Sequence, residues 1–423
     1  MRFLRLALQL ARRGYGATSP NPMVGAVLVK RGEIIGRGWH RRAGRPHAEI
    51  EALHDAQRRG HSARGATLYV TLEPCSTQGR TPPCTEAIRA AGIRRVVVGA
   101  TDPNPQHAGR GLEILRQVGI AVSRCGEAVD ALSHTPPLWR QASLPASEGG
   151  LPAASSKPRG RDAALTGPQG CGPPQSLARE CARLNEAFNH WIVHRTPFVT
   201  VKAAMTLDGK IATASGESKW ITGPKSRAYA MKLRRGADAI LVGINTVLAD
   251  DPSLTVRSPK SQVPSPKSIR RVILDSKART PLGAKVVSDA DAALTTIVVG
   301  PGAPKRRVAA LAKRVTVLAA PCAKSAIGNR QSAIPLRWLW RQLGAQGVTS
   351  LLVEGGGEVN ASFLSAGLAH RVAFFYAPKV LGGRAARKGV AGEGAQGWPE
   401  ILRLEDLRWR RLGEDLLLTA RVK

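Results

Sequence analysis

Three potential metal ligands set far apart in the sequence, His47, Cys75 and Cys84, constrain this 423-residue chain more than any other feature. They stand in Pro46-His47-Ala48-Glu49 and in Glu73-Pro74-Cys75-Ser76-Thr77-Gln78-Gly79-Arg80-Thr81-Pro82-Pro83-Cys84. One imidazole and two thiolates leave the fourth position of a tetrahedral zinc ion open to water, and Glu49 is a carboxylate not needed as a ligand. In a helix interior the side chains of His47 and Glu49 would diverge by about 200°. At a helix's first turn, both can surround a metal placed just beyond the helix end. Cys84 precedes Thr85-Glu86-Ala87-Ile88, another helix start, where the positive end of the helix favours the thiolate that zinc needs. A closed structural zinc would want a fourth protein ligand, and none presents itself at fixed spacing. The pattern therefore reads as a catalytic metal site with Glu49 as its proton carrier.

His-x-Glu followed by Pro-Cys-x-x-Cys is the general signature of zinc enzymes that hydrolyse an amino group from a nucleobase. Here eight residues separate the cysteines instead of two, so the second half of the signature is variant. Cys125, Cys171, Cys181 and Cys322 lack such context and read as spare thiols. The formal charge of +33 is spread over both halves of the chain and favours anionic partners, either phosphorylated metabolites or nucleic acid. Aromatic residues make up only 4%, which argues against base-stacking platforms. The apolar N-terminus is broken by Arg5 and Gln9 and followed by Arg12-Arg13-Gly14, so it reads as an amphipathic helix, not a signal peptide. No run of about 18 apolar residues suggests a membrane span, and the expected location is the cytoplasm.

The length fits two or three domains. Residues 1–130 alternate strand patterns at 24–29, 67–72 and 95–99 with helical patterns at 47–59, 85–91 and 109–118. That alternation predicts a layered α/β domain with a largely parallel sheet. Residues 131–177 are rich in Pro, Gly and Ser and read as a low-complexity linker or insertion. From Leu177 the pattern resumes with a helix to about 193, and residues 178–423 go on with strands at 198–203, 239–242, 271–275, 296–299, 315–318, 350–353, 371–375 and 416–422. Helices at 225–235, 336–346 and 359–366 separate several of them. Taken alone, Lys202 reads as a strand-edge lysine, and Gly355-Gly356-Gly357 as either a tight turn or a phosphate-approach loop at a helix N-terminus.

Beyond the metal motif, Thr18-Ser19-Pro20-Asn21-Pro22-Met23-Val24-Gly25, Gly79-Arg80-Thr81-Pro82-Pro83-Cys84 and Asp102-Pro103-Asn104-Pro105 with Gly109-Arg110-Gly111 make residues 1–130 similar to the deaminase half of the bifunctional riboflavin-biosynthesis deaminase–reductases. The long cysteine spacing is what that family shows. The resemblance implies a cytidine-deaminase-like three-layer α/β/α domain, with one zinc ion on His47, Cys75 and Cys84 and Glu49 as the catalytic residue. It also implies a substrate pocket containing Asn21, His40 and Arg80. His40 alone would read as a surface or turn histidine. Members usually carry His directly after Cys-Ser; Thr77 stands there, which keeps a hydroxyl and loses the imidazole.

Residues 185–383 resemble the reductase half of the same family, through Met205-Thr206-Leu207-Asp208-Gly209-Lys210, Gly216-Glu217-Ser218-Lys219-Trp220, 246–257, Leu274-Asp275-Ser276 and 353–357. That likeness implies a dihydrofolate-reductase-like α/β domain. Its sugar-phosphate substrate would meet Lys202, Ser218, Arg234, Asp250, Leu254, Arg257 and Glu354. NADPH would meet Ala204, Trp220, Thr246, Ser276, Gly356, Gly357, Glu358, Val359 and Asn360. The implied chemistry is hydrolytic deamination of a diamino-ribosylaminopyrimidinone 5′-phosphate, then NADPH reduction of the ribosyl group to a ribityl chain. The implied partner is a small phosphorylated pyrimidine, with no nucleic acid and no membrane, in a homo-oligomer. Two other readings stay open: a reductase whose deaminase half is inactive because of Thr77, and a nucleic-acid-editing zinc deaminase resting on the charge and the metal motif alone.

Overall fold

The computed structural model describes residues 1–78, 82–126, 174–256, 268–322 and 334–423. The stretch read as a linker lies outside them, apart from its last residues.

The N-terminal sheet is built from β1 (Gly25–Lys30), β2 (Glu33–Trp39), β3 (Thr67–Val70), β4 (Arg95–Val98) and β5 (Ala121–Arg124), in the order β2-β1-β3-β4-β5. It is mixed where a largely parallel sheet was expected. β3, β4 and β5 are parallel, but β1 runs antiparallel to both β2 and β3. The reason is local: Arg31 and Gly32 both take positive φ (51° and 84°), the geometry of a two-residue hairpin turn. β2 was not foreseen, because Gly36, Arg37 and Gly38 weaken its strand pattern.

The glycines of β2 have a structural purpose. A Cβ on Gly36 would stand 2.3 Å from the Ala52 carbonyl oxygen, and one on Gly38 would stand 2.2 Å from that of Ala48. Bare backbone there lets α2 (Ala48–Arg58) lie directly on the strand through Ala48, Ala52 and Ala56. That contact fixes where the N-terminus of α2 sits. The amphipathic α1 (Arg2–Ala11) buries Leu4, Ala7, Leu8 and Leu10 against the other face, beside Val27 and Val29. α3 (Cys84–Ala90) and α4 (Arg110–Gln117) complete the layers.

In place of one helix from 177 to 193 there are two, α5 (Pro174–Leu184) and α6 (Glu186–His194). The break is Asn185, whose amide clasps residue 23: Oδ1 accepts from the Met23 N–H at 2.7 Å and Nδ2 donates to the Met23 carbonyl at 3.0 Å. α5 packs Leu177 and Cys181 into the cluster under α1.

The second sheet has nine strands. In chain order they are β6 (Phe198–Thr206), β8 (Ala239–Gly243), β9 (Arg270–Leu274), β10 (Thr295–Val299), β11 (Thr316–Ala319), β12 (Ser350–Val353), β13 (Arg371–Ala377), β15 (Leu404–Leu412) and β16 (Asp415–Val422). A separate short pair is formed by β7 (Lys210–Ala212) and β14 (Arg387–Lys388). The order β11-β10-β9-β8-β12-β6-β13-β16-β15 is parallel from β11 through β13, and the last two pairings are antiparallel. α7 (Pro224–Gly236), α8 (Ile244–Asp250), α9 (Lys285–Ser288), α10 (Lys305–Ala312), α11 (Leu336–Ala345) and α12 (Gly357–Ser365) connect the strands. Two large apolar clusters flank the sheet, one around Val199, Leu241 and Phe363, the other around Ile240, Ile273 and Ile297. Parallel strands carried on such layers present their carboxyl ends along one edge, where ligands of α/β sheets bind.

Among the described residues no helix is long and apolar enough to cross a membrane.

Candidate active sites

His47 is the N-cap of α2, Glu49 lies in its first turn, and Cys84 opens α3. The sulfur of Cys75, in the loop after β3, lies 3.5 Å from His47 Nδ1, and that of Cys84 lies 3.4 Å from the same nitrogen. The three ligand atoms fall within 4.8 Å of one another, the only such group of His, Cys and acidic residues among the described residues. Cys75 is drawn down to about 4 by the hydrogen bond from the Cys84 thiol, helped by His47 and opposed by burial. Cys84, which gives that bond, is pushed up. The two thiols share one hydrogen bond, which favours ionisation at Cys75 and opposes it at Cys84. The donor set and its spread fit tetrahedral zinc with an open position. Glu49 is 3% exposed, and burial pushes its carboxyl up to about 7 against the pull of His47. A carboxyl that exchanges its proton near neutrality suits general acid–base work.

His40 is buried, not a surface or turn residue: it is 2% exposed. Its Nδ1 lies 3.1 Å from the Pro46 carbonyl oxygen, which can only accept, so Nδ1 carries the proton. Nε2 is then an acceptor and takes a bond from the Asn21 amide at 3.3 Å. The His40 and His47 rings meet edge to face with centroids 5.3 Å apart. Asn21 and His40 are therefore brought to the metal ligands as a wired pair. Arg80 lies outside the described residues.

Sequence reasoning did not single out Glu73. Buried at 5% exposure, its carboxylate accepts backbone N–H bonds from Asp102 (3.1 Å), Gly109 (3.0 Å) and Gly111 (2.9 Å). It fastens the 102–111 loop to the segment that carries Cys75. The signal was present in Glu73-Pro74-Cys75, but a carboxylate that binds only backbone leaves no pairing pattern in a sequence.

In the second half, Lys202, Arg234 and Glu354 converge. Glu354 follows β12 directly and lies beside Lys202 by the register Val353↔Val201. Arg234, from α7, grips it with two bonds, Nε to Oε1 at 3.0 Å and Nη2 to Oε2 at 2.7 Å. Burial alone would raise the Glu354 carboxyl, but Arg234 and Lys202 outweigh it and hold it down to about 2. Burial keeps the Lys202 ammonium below the ordinary lysine value. Lys202 is thus no simple strand-edge lysine. Asp250, at the end of α8, pairs with Lys219 at 3.2 Å, which tethers the segment carrying Ser218 and Trp220. Leu254 is 3% exposed with φ of 51°. Arg257 lies outside the described residues.

The residues expected at the dinucleotide also gather at the carboxyl ends of strands. Ala204 shares the alternating face of β6 with Lys202, Thr246 lies in the first turn of α8 beyond β8, and Ser276 follows β9. Gly356 caps α12, whose first turn holds Gly357, Glu358, Val359 and Asn360. A Cβ on Gly357 would stand 2.2 Å from the Lys388 carbonyl oxygen, whereas one on Gly356 would meet nothing within 4 Å. The loop is therefore packed on one side and open on the other. Asn360 is 1% exposed, donates to the Gly389 carbonyl at 2.8 Å and leaves Oδ1 buried without a partner among the described residues. An open glycine cap and an orphaned acceptor fit a bound dinucleotide. Trp220 stands 66% exposed with the Arg227 guanidinium 4.7 Å over its ring.

The comparisons agree with both halves. Residues 1–100 match the cytidine and deoxycytidylate deaminase zinc-binding region, and residues 197–418 match the RibD C-terminal domain. The riboflavin biosynthesis protein RibD of Aquifex aeolicus (strain VF5) is 39% identical over 98% of this chain and 96% of its own length. That of Escherichia coli (strain K12) is 37% identical over 90% and 88%. A solved structure of Acinetobacter baumannii RibD is 33% identical, with a TM-score of 0.75 over 100% of this chain and 98% of its own. A Thermotoga maritima structure described as a diaminohydroxyphosphoribosylaminopyrimidine deaminase/5-amino-6-(5-phosphoribosylamino)uracil reductase is 30% identical, with a TM-score of 0.71 and the same coverage.

Proposed function

The chain belongs to the RibD family, the bifunctional deaminase–reductases of riboflavin biosynthesis that use zinc and NADPH, and from that premise we propose how its residues divide the work. The single observation that carries the deaminase assignment is the meeting of His47, Cys75 and Cys84 beside the buried Glu49. Those three would hold zinc, which would supply the Lewis acidity that makes a water nucleophilic near neutral pH. Glu49 accepts the proton that this water gives up and delivers it to the departing amine. A C–O bond forms at the ring carbon, the C–N bond breaks, and ammonia leaves. Asn21 and His40 hold the pyrimidine edge, their donors and acceptors fixed by the Pro46 carbonyl. Arg80 binds the phosphate.

The proposed substrate is 2,5-diamino-6-ribosylamino-4(3H)-pyrimidinone 5′-phosphate, and the deaminated product passes to the second site. NADPH held there would supply the hydride for C1′ of the ribose, and with a proton taken up at the ring oxygen the sugar would open to a ribityl chain. Lys202, Arg234 and Glu354 bind and orient the sugar-phosphate with Ser218, Asp250, Leu254 and Arg257. Ala204, Trp220, Thr246, Ser276 and the run from Gly356 to Asn360 seat the dinucleotide. The division into a deaminase domain at 1–130, a linker at 131–177 and a reductase domain at 178–423 is part of the same reading. So are a cytoplasmic homo-oligomer and the absence of a nucleic-acid partner.

The test separates the steps. Ammonia release is measured from the diamino substrate without nicotinamide, and NADPH oxidation is followed after its addition. Glu49→Gln should lower ammonia release by about 10²–10⁴-fold while zinc content and reduction of pre-deaminated substrate stay normal. A wild-type chain that reduces the pre-deaminated substrate but frees no ammonia would leave only the reductase assignment standing.

A further inference from the structure

His107 lies in the 102–111 loop, far in sequence from the zinc ligands, yet its Nε2 is 3.5 Å from Thr77 Oγ1. Thr77 is two residues after the ligand Cys75 and occupies the position where the family usually carries histidine. The loop is held firmly. Glu73 binds the N–H groups of Asp102, Gly109 and Gly111, Asp102 accepts from the Asn104 N–H at 2.9 Å, and the His107 N–H itself donates to the Asn104 carbonyl at 2.8 Å. The imidazole is thus presented by a fixed backbone, not by a swinging side chain on a loose turn.

Its hydrogen bonding is incomplete in a telling way. His107 Nδ1 is buried and has no partner among the described residues, and the neighbouring Ser76 Oγ is in the same condition. A buried polar atom in this condition is rare unless a ligand or water completes it. Thr77 itself is exposed, and it stands two residues after Cys75, so the contact with His107 lies close to the metal ligands with one member open to solvent. A substrate whose reacting carbon lies at the metal ligands and Glu49 leaves its unreactive part to neighbouring residues such as these.

We propose that His107 is a substrate-contacting residue of the deaminase site, supplying from the 102–111 loop the imidazole that position 77 lacks, and that it acts with the Thr77 hydroxyl on the sugar-phosphate oxygens. The proposal rests on the deaminase reading above. Such a contact is made equally in ground and transition state, so its loss appears in KM and not in kcat. The size follows from one hydrogen bond to an anionic oxygen, worth roughly a 10- to 100-fold change in affinity.

The experiment compares wild type, His107→Ala, and His107→Ala combined with Thr77→His, using the full zinc-loaded chain and the diamino-pyrimidinone phosphate. His107→Ala should raise KM for ammonia release by about tenfold or more with kcat within about twofold. Zinc content and NADPH-dependent reduction of pre-deaminated substrate should not change. Thr77→His in the same chain should recover most of the lost KM. As a readout independent of turnover, substrate affinity measured by calorimetry in a Glu49→Gln background should weaken by the same factor when His107→Ala is added. Normal ammonia release with KM and affinity unmoved in His107→Ala overturns the proposal alone. Loss of zinc, or a fall in kcat with KM unchanged, makes His107 a structural residue and also overturns it. Failure of Thr77→His to rescue refutes the substitution of one imidazole for the other. A wild-type chain that releases no ammonia overturns the deaminase reading, and this proposal with it.

Discussion

At the scale of single residues, the most consequential charge outside the metal site is Glu354. It is buried, yet Arg234 and Lys202 hold its carboxyl down to about 2, against an ordinary value of 4.5. With side-chain exposures of 7% for Glu354 and 16% for Arg234, solvent screens this pair little. A carboxylate whose folded pKa is depressed gives stability that is fully present above its unfolded pKa and lost as pH falls through the folded one. The contribution is on the order of 3 kcal/mol at neutral pH, and it fades between about pH 4.5 and 2. The stability gap between wild type and Glu354→Gln, read from urea midpoints at a series of pH values, should therefore narrow as the solution is acidified. A gap independent of pH would mean that the carboxylate is not held ionised by its partners. The metal site was legible in the sequence because its residue types are costly to explain otherwise, a His, two Cys and a Glu in fixed motifs, whereas Lys202 taken alone read as a strand-edge lysine and only the family resemblance marked it. Glu73 and His107 were not legible. Their placement comes from a loop that returns to Glu73 from 29 residues on, in the case of Asp102, and nothing in the local sequence announces that return.

At the scale of elements, the metal site depends on how closely one helix lies on one strand. Gly38 faces the Ala48 carbonyl oxygen at 2.2 Å and the Ala52 nitrogen at 2.4 Å from where a Cβ would be. Both are backbone atoms, so no side-chain rotation relieves the overlap, and α2 as a whole must shift. Overpacking of this sort costs about 1–3 kcal/mol, and the displaced residues include His47 and Glu49 at the helix's first turn. Gly38→Ala should weaken zinc retention in a chelator competition and lower ammonia release, while NADPH-dependent reduction continues at the wild-type rate. Retention of zinc at wild-type affinity would show that the close packing does not position the ligands. The elements that sequence patterning missed have their own physical reasons. β2 is thinned by the very glycines that seat α2. β15 is exposed at nearly every position, with Arg408, Arg410 and Arg411 along it. An edge strand guarded by charge has no buried face and so no alternation to read.

At the scale of the whole molecule, the two halves share the apolar cluster of α1 and α5 and a set of polar contacts beside it. Ser19 Oγ donates to Asp238 Oδ2 at 2.8 Å, and that same oxygen receives the Thr349 hydroxyl at 2.6 Å and its N–H at 2.9 Å. Asn185 clasps Met23, and Tyr15 reaches across to donate its hydroxyl to the Lys232 carbonyl at 3.2 Å. Tyr15 is the anchor of the junction. The Lys232 ammonium and the Arg235 guanidinium lie 5.8 Å and 5.7 Å from its ring centroid, and burial pushes its phenol up to about 12. Beside it opens a cleft of about 730 Å³, lined by arginines from both halves. Several of those arginines already have carboxylate partners, Arg371 with Glu186 and Arg183 with Asp406 among them. Those pairs neutralise part of the positive charge that lines the cleft, and Arg12 with Glu180 at 3.3 Å carries an ion pair across the junction itself. None of the zinc ligands, Glu49, Lys202 or Glu354 lines this cleft. The junction should then govern how the halves stabilise each other without governing either reaction. Tyr15→Ala removes the ring, its hydroxyl bond and both cation–π contacts, worth together about 1–3 kcal/mol. Calorimetry should resolve two unfolding transitions for the variant and one for the wild type. At 25 °C, both ammonia release and NADPH oxidation should keep their wild-type kcat and KM, since no residue assigned to either site is touched. A single transition at the wild-type temperature would assign the coupling to the Asn185 clasp and the Asp238 hub instead. Loss of one activity alone would mean that the junction shapes that site as well as supporting it.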